Sequence, residues 1–220
     1  MTIAMLRERG IAVQEEGDAI IVLPGVPKAY PAEIPRDWSA AAFWFEMMAL
    51  GAADEVFLTG LRLSTGQGDE GCVRLWSPFV VAEGGKGGFL LQKQGPVPHA
   101  SAPLRFDLTD TPDLFQPLVF TCAGLGRAAV FKGLDNLPLK ETDRLKAVTQ
   151  ALHILGCAVK NDQNGFTLSG EITQFSPPPF DPQGDHRMAM SLAPLAMVCE
   201  AASILDADVV SKSYPHFWED

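Results

Sequence analysis

Within nine residues, Asn136-Leu-Pro-Leu-Lys140-Glu141-Thr142-Asp143-Arg144 gathers two cations, two carboxylates and an amide. Leu145, Val148, Leu152 and Leu155 follow at the spacing of a half-exposed helix over residues 142–155, so this run opens that helix. Lys140 and Arg144, four apart, would then place like charges on one helix face at the positive end of its dipole, where both effects disfavour cations. An anion held by free backbone N–H groups and two basic side chains would account for the arrangement. The plainer alternative is a solvated helix start in which Glu141 and Asp143 neutralise the pair. A second run, Gly184-Asp185-His186-Arg187, stands at the head of an apolar stretch. There Arg187 needs neutralising, either by Asp185 as cap and ion partner or by a bound anion, because an unpaired buried cation is very costly. Asp113, after Thr111-Pro112, is either a helix cap or a carboxylate whose pKa is raised against an apolar helix, fit for a general base. Lys212 alone reads as an ordinary surface lysine.

Three apolar segments must position these groups. They run from Asp37 to Gly51, from Asp113 to Gly126, and from Asp185 through HRMAMSLAPLAMVCEAA, and each is a helix candidate opened by an Asp. Helices apolar nearly all round are buried on every side, so the three belong at the centre of the fold. Asp37, Asp113 and Asp185 are 76 and 72 residues apart, and each segment is followed by a strand-like run: 55–61, 128–134 and 202–208. Hairpins are expected after the first two, at FVVAEGGKGGFLLQKQ and at CAVKNDQNGFTLSG, whose turn is NDQNG. The pattern is a repeat of a buried helix, a strand, an outer helix and a hairpin. The third repeat is cut short at SYPHFWED, and residues 1–36 read as an outer helix and hairpin without a buried helix of their own. If the repeats are related by rotation, the N-termini of the buried helices gather at one end. Asp113, Arg187 and the Lys140 cluster would share that end as an electropositive face.

The length suits about one and a half domains. With 47% apolar and 20% charged residues the chain has an ordinary globular composition. Its 27 acidic against 17 basic residues leave −10, which argues against nucleic acid or an anionic membrane as partner. The 4 cysteines are scattered, without metal-ligand or disulfide-framework spacing, and no apolar run reaches membrane-span length, so the expectation is a reduced, cytoplasmic chain.

KETDRL (140–145) and DHRMAM (185–190) together resemble the C-terminal half of the 3-phosphoshikimate 1-carboxyvinyltransferase, or EPSP synthase, family. Asp37-Trp-Ser-Ala-Ala, VFLTGL (56–61), Pro112-Asp113 and KSYPHF (212–217) extend the resemblance over essentially the whole chain. It implies an α/β fold of repeated βαβαββ units, with buried parallel helices surrounded by sheets. It also implies transfer of the carboxyvinyl group of phosphoenolpyruvate to the 5-hydroxyl of shikimate 3-phosphate, releasing phosphate in the route to chorismate, without metal or organic cofactor. Residue by residue, Asp113 matches the carboxylate on the shikimate hydroxyls, a candidate base for the 5-OH. Glu141 matches the residue that moves a proton to and from the methylene carbon of phosphoenolpyruvate. Arg144 and Arg187 match the arginines that hold phosphoenolpyruvate, with His186 beside them and Lys212 near the family's C-terminal lysine. Asn136 and Lys140 match contacts to shikimate 3-phosphate.

The resemblance further implies that residues 1–36 are the remnant of an N-terminal domain and 37–220 a C-terminal domain with an incomplete last repeat. The absent N-terminal domain, a partner of the site, carries the family's other basic and serine residues, so the chain is expected to be inactive alone. Residues 68–85, GDEGCVRLWSPFVVAEGG, depart from the family's usual outer helix. Two alternatives are a relative acting on UDP-N-acetylglucosamine and a non-catalytic anion-binding or interaction domain of the same fold.

Overall fold

The computed structural model describes residues 1–29, 34–95, 102–163 and 165–220. A helix, α1 (Thr2–Glu8), and a hairpin of β1 (Val13–Glu16) and β2 (Ala19–Val22) come first. Of these leading residues only Ile11 and Val13 are buried, and β2 is exposed along its length, with Ile20, Ile21, Val22 and Leu23 facing solvent.

Two repeats then follow in the expected order. The first has α2 (Trp38–Leu50), β3 (Glu55–Thr59), a single helical turn α3 (Cys72–Leu75), and the hairpin β4 (Val80–Gly85) and β5 (Gly88–Lys93). The second begins with β6 (Leu104–Asp107) and continues through α4 (Phe115–Gly124), β7 (Ala129–Lys132), α5 (Arg144–Ile154), β8 (Val159–Asp162) and β9 (Gly165–Leu168). The sheets run β3-β5-β4 and β6-β7-β9-β8, so the second strand of each hairpin lies between its partner and the strand that follows the buried helix. β6 and β7 pair in parallel around α4, the crossover that a β-helix-β unit requires. The second hairpin's turn includes Asn164, which lies outside the described residues.

The third repeat keeps its buried helix, α6 (His186–Leu192), continued by a 3-10 segment, Ala193–Met197. The strand expected over 202–208 does not form. It shrinks to one parallel bridge between Phe180 and Ile204, which is the β6–α4–β7 crossover reduced to a single pair around α6. Asp206, in a left-handed conformation, then turns the chain into a 3-10 helix, Ala207–Lys212.

Apolar character all round makes α2 and α4 core elements. Nine of the thirteen residues of α2 and nine of the ten of α4 are buried. A methyl at Gly124 would fall 2.6 Å from Leu50 Cδ2, so the C-terminal ends of α2 and α4 meet closely enough that a larger residue there would make the Leu50 side chain move. A smaller apolar cluster of Phe43, Ala189, Met190, Val210 and Phe217 seats the C-terminal segment on α2 and α6. Tyr214 adds a hydroxyl that accepts from Trp44 Nε1 at 3.3 Å and donates to the Asp220 carboxylate at 2.9 Å.

Candidate functional site

α2 and α6 open as their sequences require. The Asp37 carboxylate accepts from Ser39 N at 2.9 Å, and that of Asp185 from Arg187 N at 2.8 Å. Asp113 does not cap. It lies in a 3-10 turn, Pro112–Leu114, and the residue before α4 is Leu114, so the Asp113 carboxylate is left to side chains. Near it begins α5, capped by Asp143, which accepts from Lys146 N at 3.1 Å.

Arg144 is the first residue of α5, and its side chain is 1% exposed. Its Nε donates to Asp185 Oδ2 at 2.6 Å, Nη1 to Asp113 Oδ1 at 2.8 Å, and Nη2 to Glu141 Oε2 at 2.9 Å and to Asp185 Oδ1 at 3.4 Å. This one guanidinium therefore ties together the segments that lead into α4, α5 and α6. Lys140 is not on a helix with Arg144, contrary to expectation: its backbone is extended after the 3-10 turn Leu137–Leu139, and its Nζ reaches Asp113 Oδ1 at 3.0 Å. The predicted clash of like charges on one helix face is thus absent.

Arg187 takes different partners from those expected. Asp185 gives its carboxylate to Arg144, so Arg187 reaches outward: Nη2 to Ser39 Oγ at 3.1 Å and Asp113 Oδ2 at 3.5 Å, and Nη1 to the Asp113 carbonyl at 3.4 Å and Asp69 Oδ2 at 3.7 Å. Ser39 in turn donates to Asp69 at 2.5 Å. Lys212, read alone as surface, is brought in by the C-terminal apolar cluster, and its Nζ lies 3.0 Å from Glu141 Oε1. His186 opens α6, largely buried, with Nδ1 4.0 Å from Asp185 Oδ1 and no protein hydrogen-bond partner. Asn136 is exposed beside this array and joins none of its ion pairs among the described residues.

The electrostatics correct two expectations. Lys140, Arg144, Arg187 and Lys212 are matched by Asp69, Asp113, Glu141 and Asp185, so the face is charge-balanced rather than electropositive. Asp113 is not raised into a general-base range. Burial pushes its carboxyl up, but Arg187, Lys140 and Arg144 together hold it below the usual carboxylate range. Glu141 is driven down to about 2, first by its own backbone N–H and then, against some burial, by Lys212 and Arg144. Burial lowers His186, keeping the imidazole neutral near neutral pH, and raises Asp69 despite the Ser39 hydroxyl and Arg187.

A cavity of about 430 Å³ opens at this end, lined in part by Asp37, Ser39, Gln67, Asp69, Pro112 and Asp113. Its walls accept hydrogen bonds, which suits a hydroxyl-bearing ligand approaching Asp113. Among the described residues no group of three or more His, Cys, Asp or Glu could hold a metal ion, and no helix is long and apolar enough to cross a membrane. All 4 cysteines are unpaired and buried.

Sequence reasoning missed Asp69 and Ser39. The signal was present as three glycines, Gly66, Gly68 and Gly71, crowded around an Asp in a segment read only as an unusual outer helix.

A family model described as EPSP synthase (3-phosphoshikimate 1-carboxyvinyltransferase) matches residues 1–220. A 3-phosphoshikimate 1-carboxyvinyltransferase of Bacteroides fragilis (strain YCH46) is 36% identical, covering 100% of this chain and 54% of the relative; one from Syntrophobacter fumaroxidans is 29% identical, covering 100% and 51%. The chain thus spans about half the length of the curated relatives it matches. The solved EPSP synthase of Acinetobacter baumannii shares the fold, with a TM-score of 0.76 at 22% identity, over 99% of this chain and 52% of that one. So does the enolpyruvyl transferase NikO of Streptomyces tendae, with a TM-score of 0.64 at 16% identity, over 99% and 50%.

Proposed function

Since the chain belongs to the EPSP synthase family, we propose that it supplies one half of a site that moves the carboxyvinyl group of phosphoenolpyruvate to the 5-hydroxyl of shikimate 3-phosphate. Residues 37–220 are the C-terminal domain of that enzyme. Residues 1–36 belong to the end of an N-terminal domain, which completes the site and is the chain's partner. The observation that carries this reading is Glu141 bound to both Arg144 and Lys212, with Arg187 alongside. Glu141 thus sits between two cations, and Arg187 shares Asp113 with Arg144; cations held in place by carboxylates are pre-placed to stabilise an anionic reacting group.

On this reading Arg187, Arg144 and Lys212 hold phosphoenolpyruvate, with His186 beside them, while Asn136 and Lys140 hold the shikimate phosphate. Asp113, ionised in the unliganded chain, accepts the 5-hydroxyl proton. Glu141 takes a proton back from the methyl carbon as phosphate leaves, which restores the vinyl group, but it first delivers one to the methylene carbon, which requires its carboxyl to rise from about 2. An arriving phosphate would do that, because it engages the Lys212 and Arg144 charges that hold the carboxyl down.

The test is phosphate release from phosphoenolpyruvate and shikimate 3-phosphate by the chain alone and by the chain mixed with the N-terminal half of one of its relatives. Release is expected only from the mixture, and is expected to disappear with Glu141→Ala. Rapid release by the chain alone, or by a mixture carrying Glu141→Ala, would overturn the proposal.

A further inference from the structure

The loop between β3 and α3 is fastened on both sides of one acidic residue. Gln67 Oε1 accepts from Trp38 N at 2.9 Å, while its Nε2 donates to the Arg36 carbonyl at 2.9 Å. Glu70 accepts from Ser64 N at 2.9 Å, Thr65 N at 2.6 Å and the Thr65 hydroxyl. The loop also presses on the strand-to-helix connection that carries Asp113. A methyl on Gly68 would sit 3.0 Å from the Asp110 carbonyl oxygen, and one on Gly71 3.0 Å from Thr111 Cγ2. Asp69, between these fastenings, has a side chain only 12% exposed and points its Oδ2 at the Ser39 hydroxyl and at Arg187.

Ser39 cannot be a passive neighbour in this geometry. Its single proton goes to Asp69 at 2.5 Å, so its oxygen is left to accept from Arg187 Nη2 at 3.1 Å. The result is a directed chain from guanidinium to hydroxyl to carboxylate, in which the charge of Asp69 makes the Ser39 oxygen a better acceptor. Asp113 grips the same guanidinium but also serves Lys140 and Arg144, whereas Asp69 has no other cation among the described residues.

We propose that Asp69, acting through Ser39, is the positioning residue for Arg187: it fixes the guanidinium from the α2 side and so leaves the remaining N–H groups directed at an incoming anion. The consequence for anion binding rests on the reading of Arg187 given above, but the positioning itself does not, and it is testable without ligand.

The experiment measures how fast p-hydroxyphenylglyoxal modifies Arg187 in the full chain, read by peptide mass mapping, with exposed Arg74 as internal reference. Asp69→Asn keeps the size of the side chain and removes its charge; Ser39→Ala removes the intermediate hydroxyl from the other side. Loss of a partly exposed ionic anchor is expected to raise the Arg187 rate by roughly two- to fivefold in either variant, with Arg74 unchanged. The double variant is expected to be no faster than the faster single one, since both break one chain. An Arg187 rate within twofold of the unsubstituted chain in both variants overturns the proposal. So does a parallel rise at the buried Arg127, which would mean general loosening. Phosphoenolpyruvate added to the unsubstituted chain separates the two readings. Protection of Arg187 supports its anion-holding role, whereas lack of protection counts against that role and leaves the Asp69 result standing.

Discussion

Arg144 and Arg187 enter the same end of the fold from neighbouring elements, yet one is locked and the other is loosely held. Arg144, 1% exposed, makes three contacts of 2.6–2.9 Å to three different carboxylates. Arg187, 14% exposed, has side-chain contacts of 3.1–3.7 Å only. A cation whose hydrogen bonds are short and buried stays fixed, and what it offers a ligand is its charge from a set position. One whose contacts are long and partly exposed can exchange them for a ligand. The difference follows from which residue Asp185 serves, since its fully buried carboxylate has to find a close cation and Arg144 takes it.

The largest expected effect comes from breaking the locked half. Arg144→Ala removes the cation from the fully buried Asp185 carboxylate and should cost about 3–5 kcal/mol in urea unfolding, whereas Arg187→Ala should cost less than about 1 kcal/mol. Equal losses would erase the distinction. The next effect lies in binding: Arg187→Ala should weaken phosphoenolpyruvate about ten- to hundredfold by titration calorimetry, the range for losing hydrogen bonds to a charged group. Smaller still is Asp143→Ala, which removes the cap of the helix that carries Arg144; about 1 kcal/mol of stability should go, visible as a lowered midpoint in urea.

Acid titration sharpens the contrast further. Glu141, on the locked side, has its carboxyl lowered from the ordinary 4.5 to about 2, so its stabilisation is present above the unfolded value and is lost as pH falls through that window. Asp69, on the loose side, is raised by burial, so its contribution has the opposite sign: it is present at low pH and lost as pH rises through the folded value. Glu141→Gln should therefore flatten the acid limb of a stability-against-pH curve between about pH 4.5 and 2, and Asp69→Asn should steepen the curve as pH rises from the ordinary 3.8. Identical changes in slope would refute the assignment.

Local chemistry made much of this legible. The apolar runs of α2 and α4, the caps Asp37 and Asp185 and the glycine-marked hairpins depend on near neighbours, and they form where the sequence places them. What failed depends on partners far along the chain. Thr111-Pro112 bends Asp113 into a 3-10 turn, and the burial that raises its carboxyl is outweighed by cations 27, 31 and 74 residues away acting together. Residues 202–208 carry strand-like composition, but among the described residues they bridge Phe180 alone, so one bridge forms in place of a strand. Lys212 meets Glu141 across 71 residues, and Ser39 meets Arg187 across 148, distances at which sequence spacing carries no register.

The leading hairpin has a consequence for the chain's behaviour in solution. β2 offers an unpaired edge beside Ile20, Ile21, Val22 and Leu23, and no helix or loop covers those side chains among the described residues. Such an edge is a template for another strand. Rising concentration is therefore expected to favour association through β2, with Ile20, Ile21, Val22 and Leu23 supplying the apolar surface that such pairing would bury.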